Sequence, residues 1–130
     1  MLQIQNLGVG TDIENIGRFK KFISDKNNPF LNHIFTKNEL EFCFSKEVVA
    51  NHLAARFAGK EASIKALCSL GRENFNYKDI EILSDSGGVP RVRINNKNSD
   101  KLQVYLSLSH CKDKALAFVI VAELSNNEKN

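Results

Sequence analysis

The sequence predicts one α+β domain, from its length, its composition and the order of its hydrophobic patterns. The chain has 130 residues, of which 42% are hydrophobic and 25% charged, which is typical of one soluble globular domain. A strand pattern opens the chain, helical patterns follow, and strand patterns fill most of the second half. That order is typical of an antiparallel sheet combined with one long helix and several short ones.

The first half of the chain predicts one strand and three short helices. Residues 2–12 contain alternating apolar side chains with Gly8 and Gly10, which predicts a buried strand whose end comes close to another backbone. Apolar residues at helical spacing predict a helix over residues 13–24, and residues 30–34 a second. Thr36 with Glu39 forms a capping box, which predicts a third helix to about residue 44.

The longest predicted helix begins at about residue 46 or 51 and ends at residue 70, where Gly71 is suited to stop it. Strands follow over residues 80–83, 89–94 and 102–109, with a turn at 85–88. Residues 115–122 are continuously apolar, which is typical of a central strand covered on both faces, and residues 110–114 predict the hairpin before it. The domain is expected to span residues 1–124, and residues 125–130 to form a disordered polar tail.

Composition disfavours several classes of protein. No run of about 18 apolar residues exists, so we expect no transmembrane helix, and the N-terminus lacks the pattern of a signal peptide. The three cysteines are odd in number and show no CxxC spacing, which favours a reducing, cytoplasmic setting over a disulfide framework or a zinc site.

The net charge of +3 is concentrated in one segment. Residues 18–37 hold five basic side chains, among them Arg18, Lys20 and Lys21, against the single acid Asp25, a surplus of four. This segment is either an ordinary solvated surface or a docking surface for an acidic partner. Tryptophan is absent and the phenylalanines fit a core, so a nucleic-acid partner is disfavoured.

Three places put polar groups beside well-defined structure. Asp12 follows two glycines and is either a site carboxylate or a helix N-cap. Glu61 and Lys65 stand four residues apart on the long helix, as a surface ion pair or as part of a site. His110, just past a strand end, is a phosphate ligand or an ordinary loop histidine. Asp12 and Glu61 together suit Mg²⁺ with substrate phosphates more than zinc.

At these residues the sequence resembles the holo-[acyl-carrier-protein] synthases, the small 4′-phosphopantetheinyl transferases. Five segments match in order over nearly the whole chain: residues 8–16 (GVGTDIENI) followed by Arg18, 35–40 (FTKNEL), 56–67 (RFAGKEASIKAL), 88–90 (GVP), and 106–110 (LSLSH) with 115–123 (ALAFVIVAE). One departure is Cys68, Ser69 and Leu70, where the family has a glycine-rich stretch.

The resemblance implies a homotrimer with active sites at its subunit interfaces. The implied reaction is the Mg²⁺-dependent transfer of the 4′-phosphopantetheine arm of coenzyme A to a serine of apo-acyl carrier protein, which serves fatty acid biosynthesis and releases adenosine 3′,5′-bisphosphate. Asp12 and Glu61 would bind Mg²⁺, and Asp12, Glu61 and Lys65 would be catalytic. Coenzyme A would also contact a further set of residues: Arg56, Lys65, Gly88, Pro90, Arg91, Ser109 and His110. Arg18, Lys20 and Lys21 would face the acidic carrier protein.

Two other functions stay open on the sequence alone. A non-catalytic trimer could keep the coenzyme A and carrier sites, although the presence of Asp12, Glu61 and Lys65 argues against it. A Mg²⁺-dependent phosphohydrolase could use the same carboxylates but would not need the basic segment.

Overall fold

The computed structural model describes residues 2–126, and these form an α+β fold with antiparallel sheets, as predicted. The strands are β1 (Leu2–Asn15), β2 (Ile80–Ser84), β3 (Pro90–Ile94), β4 (Leu102–His110) and β5 (Lys114–Asn126). The α-helices are α1 (Pro29–Ile34), α2 (Lys37–Phe44) and α3 (Val49–Ser69), and short 3₁₀ helices span Ile16–Phe22 and Tyr77–Asp79. None of the helices in this part of the chain has the length and hydropathy that a membrane span requires.

Two sheets build the molecule. In the larger one β5 lies between β1 and β4 and is antiparallel to both, while β2 and β3 form a separate two-stranded sheet. The predicted hairpin between β4 and β5 is confirmed, with the Cys111 amide donating to the Lys114 carbonyl at 2.9 Å. Helix α3 packs against β1 and β5 and forms the centre of the core.

The predicted close approach of the first strand to another backbone is confirmed at its two glycines. Gly8 and Gly10 face α3, and a Cβ atom at Gly10 would collide with the carbonyl oxygen of Ala62. The side chains of Ser69 and Leu70 lie against Gly8, so the bulk that replaces the expected glycine-rich stretch packs on β1. The predicted stop of the long helix at Gly71 is confirmed, since Gly71 has a φ of +74°, which favours glycine.

The predicted helix over residues 13–24 is only partly correct. Residues 13–15 continue β1, because they pair with residues 114–116 of β5, and the helix that follows is a 3₁₀ helix from Ile16. At the other end of the chain, β5 continues through Ser125 and Asn126, which pair with Gln3 and Leu2 instead of belonging to a disordered tail. The remaining tail, residues 127–130, lies outside the described residues.

One face of the larger sheet is exposed, which corrects two predictions of full burial. We call the side of β1, β4 and β5 that is turned away from α3 the outer face. Eight of the eleven exposed large hydrophobic side chains in residues 2–126 lie on these three strands. On the outer face Leu7, Val9, Ile13, Leu116 and Phe118 are between 41% and 59% exposed. The sequence predicted burial because residues 115–122 are apolar on both faces and residues 2–11 carry no charge.

A buried ion pair joins α2 to α3 near β2. The Lys60 ammonium lies 2.7 Å from Glu39 Oε1, and both side chains are 0% exposed. Glu39 also accepts hydrogen bonds from the Thr36 amide, which closes the predicted capping box, and from the Ile82 amide at 2.8 Å. Lys60 donates in addition to the backbone carbonyls of Tyr77 and Ile80. Every charge in this pair therefore has several partners, as burial requires.

Candidate active site

Four residues of β1 and α3 form what we call the acidic cluster: Asp12, Glu14, Glu61 and Lys65. Asp12 and Glu14 lie on one face of β1, and Glu61 and Lys65 stand about one turn apart on α3, which packs against that strand. Asp12 lies within β1, so it is not the helix N-cap that the sequence also allowed. The Lys65 ammonium is 3.2 Å from Asp12 Oδ1 and 3.0 Å from the Thr11 carbonyl oxygen. With Glu14 ionised, the buried Asp12 Oδ2 accepts no hydrogen bond.

Glu14 lies next to Asp12 and pairs with Arg18. The Arg18 guanidinium is 3.0 Å from Glu14 Oε1. Burial, and then the hydrogen bond and the charge of the neighbouring Asp12 carboxylate, raise the pKa of Glu14 to about 7, against the lowering effect of Arg18. Two carboxyl groups in contact are stabilised by a shared proton or by a bound cation, and a pKa of about 7 allows either in this pair at neutral pH.

Glu61 is held by a tyrosine instead of by Lys65, the partner that the helix spacing suggested. The Tyr77 hydroxyl donates to Glu61 Oε1 at 2.5 Å. That hydrogen bond, with burial and the charges of Glu61 and Glu14, raises the pKa of Tyr77 to about 12, so the hydroxyl keeps its proton at neutral pH. Glu61 and Lys65 thus point to different partners from neighbouring turns of α3.

The acidic cluster fits a hard divalent cation. Its oxygens are carboxylates, and the unpartnered Asp12 Oδ2 is the kind of buried atom that a cation would satisfy. Within residues 2–126 no group of three or more His, Cys, Asp or Glu side chains is placed to hold a metal ion. Such an ion would therefore depend on Asp12 and Glu61 together with water and substrate oxygens, which is how Mg²⁺ usually binds.

A cleft of about 490 Å³ lies on another side of α3 and is lined by Lys46, His52, Arg56 and His110, which we call the basic cleft. Gly88 and Pro90, from the turn before β3 and from its start, line the same cleft. Four predicted coenzyme A contacts, Arg56, Gly88, Pro90 and His110, are thereby brought together. Asp85 also lines the cleft, but Lys46 and Arg56 outnumber this acid, so the lining carries a positive surplus and suits an anionic ligand.

Arg56 is the buried charge of this cleft. Its side chain donates to Ser84 Oγ at 3.2 Å and lies over the Phe42 ring, with 4.1 Å from Cζ to the ring centroid. Its Nε is buried and unpartnered. Burial lowers the pKa of Arg56, and burial with the charges of Arg56, Lys46 and His110 lowers the pKa of His52. An anion in the cleft would relieve both effects.

The structure separates other residues that the sequence had grouped together. Ser109 pairs with Leu116 and lies on the outer face, whereas His110 pairs with the buried Ala115 and faces the cleft. Arg91 is not among the cleft-lining residues, but its Nε lies 3.0 Å from Oδ2 of Asp85, which does line the cleft, so Arg91 lies at the rim. The basic cleft and the acidic cluster share no residue, and Arg56 and Glu61 project from α3 roughly 140° apart.

The three predicted docking residues lie on the first 3₁₀ helix. Arg18, Lys20 and Lys21 are exposed, and three residues per turn place Arg18 and Lys21 on one side. The Arg18 guanidinium is also held by Glu14 and lies over the Phe57 ring, with 5.2 Å from Cζ to the centroid. This arrangement puts the positive surface directly beside the acidic cluster.

Several residues of the acidic cluster and the basic cleft were not predicted from the sequence. His52 and Lys46 could have been found, since His52 stands four residues before Arg56 and Lys46 lies near the start of the same helix. Glu14 was visible only as part of a motif. Tyr77 lies in a polar stretch without periodicity, and nothing in the sequence places its hydroxyl on Glu61.

Comparison with known proteins shows the family of this chain. The family model of the 4′-phosphopantetheinyl transferase superfamily matches residues 8–119. A holo-[acyl-carrier-protein] synthase of Clostridium botulinum (strain Eklund 17B / Type B) is 42% identical over 120 residues, covering 88% of this chain and 95% of the relative. The corresponding Geobacter sp. (strain M21) protein is 37% identical over 120 residues, covering 88% and 96%.

Solved structures show the same fold. A Chronobacterium ammoniagenes ACPS–CoA complex superposes with a TM-score of 0.76 at 25% identity, covering 92% of this chain and 98% of the other. A Bacillus anthracis holo-(acyl-carrier-protein) synthase in complex with CoA (3′,5′-ADP) gives 0.72 at 30% identity, covering 89% and 96%. The fold and site therefore define a phosphopantetheinyl transferase, and this chain belongs to the 4′-phosphopantetheinyl transferase superfamily. Its curated relatives are holo-[acyl-carrier-protein] synthases, which confirms the family that the motifs predicted.

Proposed function

We propose that this chain transfers the 4′-phosphopantetheine group of coenzyme A to a serine of apo-acyl carrier protein and releases adenosine 3′,5′-bisphosphate. The observation that carries the proposal is the pair of unpartnered buried atoms, Asp12 Oδ2 in the acidic cluster and Arg56 Nε in the basic cleft. A cation would satisfy the first atom and an anion the second, and a magnesium-bound nucleotide diphosphate supplies both. Relatives named holo-[acyl-carrier-protein] synthase, and related structures in complex with CoA, support the same reaction.

Asp12 and Glu61 are the residues that would hold Mg²⁺. When bound there, the ion would neutralise the diphosphate oxygens of coenzyme A and stabilise the charge that develops during phosphoryl transfer. The unpartnered Asp12 Oδ2 and the free oxygen of Glu61 would supply the protein ligands.

The remaining steps belong to the chain's own side chains. Glu61, directly or through a water molecule, takes the proton of the carrier serine, whose oxygen then bonds to the β-phosphorus. The bond from that phosphorus to the bridging oxygen breaks, and the electron pair leaves with adenosine 3′,5′-bisphosphate. Lys65 is 55% exposed, so it can turn from Asp12 to the phosphate and stabilise the leaving negative charge.

The basic cleft is proposed to hold the nucleotide end of coenzyme A. Arg56, His110 and Lys46 supply positive charge for its phosphates, while Gly88 and Pro90 allow the nucleotide to approach the backbone. Ser109 and Arg91 are proposed to contact coenzyme A from the rim of the basic cleft. Ser109 would do so from the side of the outer face. We also propose a reducing cytoplasmic setting, which is consistent with the three free thiols of the structure.

We further propose that three copies assemble through the outer face. Its exposed apolar side chains on β1 and β5 form a patch that water does not favour, which is the usual sign of an interface. The acidic cluster and the basic cleft lie on different sides of α3. Closed three-fold assembly would place the cluster of one subunit beside the cleft of its neighbour, which completes each site.

The carrier protein is proposed to dock on the first 3₁₀ helix. Arg18, Lys20 and Lys21 form an exposed positive surface that Arg18 joins to Glu14 of the acidic cluster, so an acidic carrier bound there would bring its serine to the side of the general base. The buried Phe19 and Phe22 fix that helix to the core.

The test is to incubate the protein with apo-acyl carrier protein, coenzyme A and Mg²⁺ and to weigh the carrier by mass spectrometry. We expect the carrier to gain one phosphopantetheine group, and to gain none without Mg²⁺. A folded protein that leaves the carrier unmodified contradicts the proposal. Release of phosphate without modification of the carrier would instead indicate a phosphohydrolase.

A further inference from the structure

We propose that Tyr77 is a positioning residue of the transfer reaction, because its hydroxyl fixes the orientation of the Glu61 carboxylate. The inference rests on the role proposed for Glu61 above. It assigns a function to a residue outside the motifs of the family, on the 3₁₀ helix Tyr77–Asp79 before β2.

Two adjacent residues of α3 both bind Tyr77, from opposite ends of that residue. Lys60, which points into the core, donates to the Tyr77 backbone carbonyl at 2.8 Å. Glu61, the next residue, accepts from the Tyr77 hydroxyl at 2.5 Å. The helix therefore holds both the backbone and the side-chain tip of this tyrosine.

The Lys60 contact is rigid because its charge is fully satisfied. Glu39 neutralises Lys60 at 2.7 Å with both side chains buried, and the Ile80 carbonyl accepts a further hydrogen bond. Three partners leave the ammonium no alternative position in the core. The Tyr77 carbonyl is thus bonded to a fixed donor.

The ring of Tyr77 is fixed independently of the backbone. It stacks on Phe57 with 5.8 Å between the ring centroids, and His33 lies at its edge at 6.4 Å. Asn76 and Asp79 cap the short helix reciprocally, so the turn that carries the ring is closed as well. The hydroxyl therefore has a defined position before it meets Glu61.

This contact decides which oxygen of Glu61 is available. Glu61 is a long, half-buried side chain of α3, and an unbound carboxylate there would sample several rotamers. With Oε1 held by Tyr77, Oε2 is the oxygen left for a cation or a serine proton. A hydrogen bond that orients a ligand carboxylate typically changes metal affinity or activity by about 10- to 100-fold.

The test is the substitution Tyr77→Phe, which removes the hydroxyl and keeps the ring and the backbone carbonyl. We expect kcat to fall about 10-fold, with the KM for the carrier changed less than about two-fold. Calorimetric titration of the coenzyme A-bound protein with MgCl₂ should show about 10-fold weaker binding of Mg²⁺. A residue that only supported the fold would not change the affinity for Mg²⁺ in a protein that remains folded.

Ser99→Ala is the matched control, since it removes a hydroxyl with a similar 2.6 Å hydrogen bond, to the Asn96 carbonyl, in the loop before β4. It should leave both quantities unchanged. Unchanged kcat and Mg²⁺ affinity in Tyr77→Phe would overturn the inference, as would a loss of thermal stability without a change in Mg²⁺ affinity. Glu61→Gln, measured in parallel, separates the two proposals. If it remains active, the role of Glu61 is wrong, whereas an inactive Glu61→Gln with a normal Tyr77→Phe contradicts only the positioning role.

Discussion

The acidic cluster and the basic cleft lie on different sides of α3 and differ in sign, yet each contains one buried polar atom without a partner. In residues 2–126 these two atoms, Asp12 Oδ2 and Arg56 Nε, are the only buried side-chain nitrogen or oxygen atoms in that condition. The buried pair of Lys60 on α3 and Glu39 on α2 has every charge satisfied. We therefore distinguish buried charges that are satisfied within the fold from buried charges whose partner we expect to be a ligand.

The largest effect is expected where the satisfied pair is broken. Glu39→Gln leaves the Lys60 ammonium buried without a counter-charge, and we expect the free energy of unfolding to fall by about 3–5 kcal/mol. Urea denaturation measures this change. Glu41→Gln, an exposed position of the same helix, is the control and should change the free energy by less than about 0.5 kcal/mol. A mild effect at Glu39 would mean that this pair does not support the fold.

In the acidic cluster we expect a large effect on turnover and a small effect on the free energy of unfolding. Asp12→Asn removes the unpartnered carboxylate oxygen, so we expect turnover to fall on the order of 100-fold. The free energy of unfolding should change by less than about 1 kcal/mol, because the pair with the half-exposed Lys65 contributes little. Carrier modification and urea denaturation on one preparation test both statements. The control is the exposed Asp100→Asn, and a destabilised Asp12→Asn would show that Asp12 is structural.

The basic cleft should show its effect in substrate binding. Arg56→Met keeps the bulk over Phe42 and removes the charge, and we expect the KM for coenzyme A to rise about 10-fold, the worth of one hydrogen bond to a charged group. The KM for the carrier should stay unchanged. Steady-state kinetics with each substrate varied in turn measures the split, with the exposed Arg93→Met as control. Equal changes in both constants would contradict a coenzyme A site in the cleft.

A smaller effect is expected from pH through His52. Burial and neighbouring positive charges lower its pKa in the folded state, so below about pH 6.5 the unfolded state binds more protons at this position. This contribution to stability is present above about pH 6.5 and is lost as pH falls through the folded-state pKa. His52→Gln should flatten that part of the stability profile.

Inorganic phosphate gives a direct check on the cause of the shift. In NMR titrations the pKa of His52 should rise when phosphate is added, because the anion opposes Arg56 and Lys46. His33 lies outside the cleft, and its resonance serves as the internal control. A pKa of His52 that ignores phosphate would show that the cleft does not bind the anion.

The sequence predicted much of this arrangement, and its errors have physical causes. The capping box of Thr36 and Glu39 was readable because its signal is local, whereas the pairing of Glu39 with Lys60 joins residues that are distant in sequence. The sequence does indicate a buried charge here, since Lys60 stands at an apolar position of the α3 stripe between Phe57 and Ile64. The exposed outer face was predicted to be buried because apolar residues show that a strand will be covered, without showing by what.

The central claim is that each site combines the acidic cluster of one subunit with the basic cleft of another. The most direct measurement mixes two inactive variants, Asp12→Asn and the double variant Arg56→Met/His110→Ala, by co-expression and assays the mixed assemblies at limiting coenzyme A. Random mixing should restore about a quarter of wild-type activity, because one interface in four then joins an intact cluster to an intact cleft. Mixed assemblies that stay as inactive as either variant alone would contradict the claim.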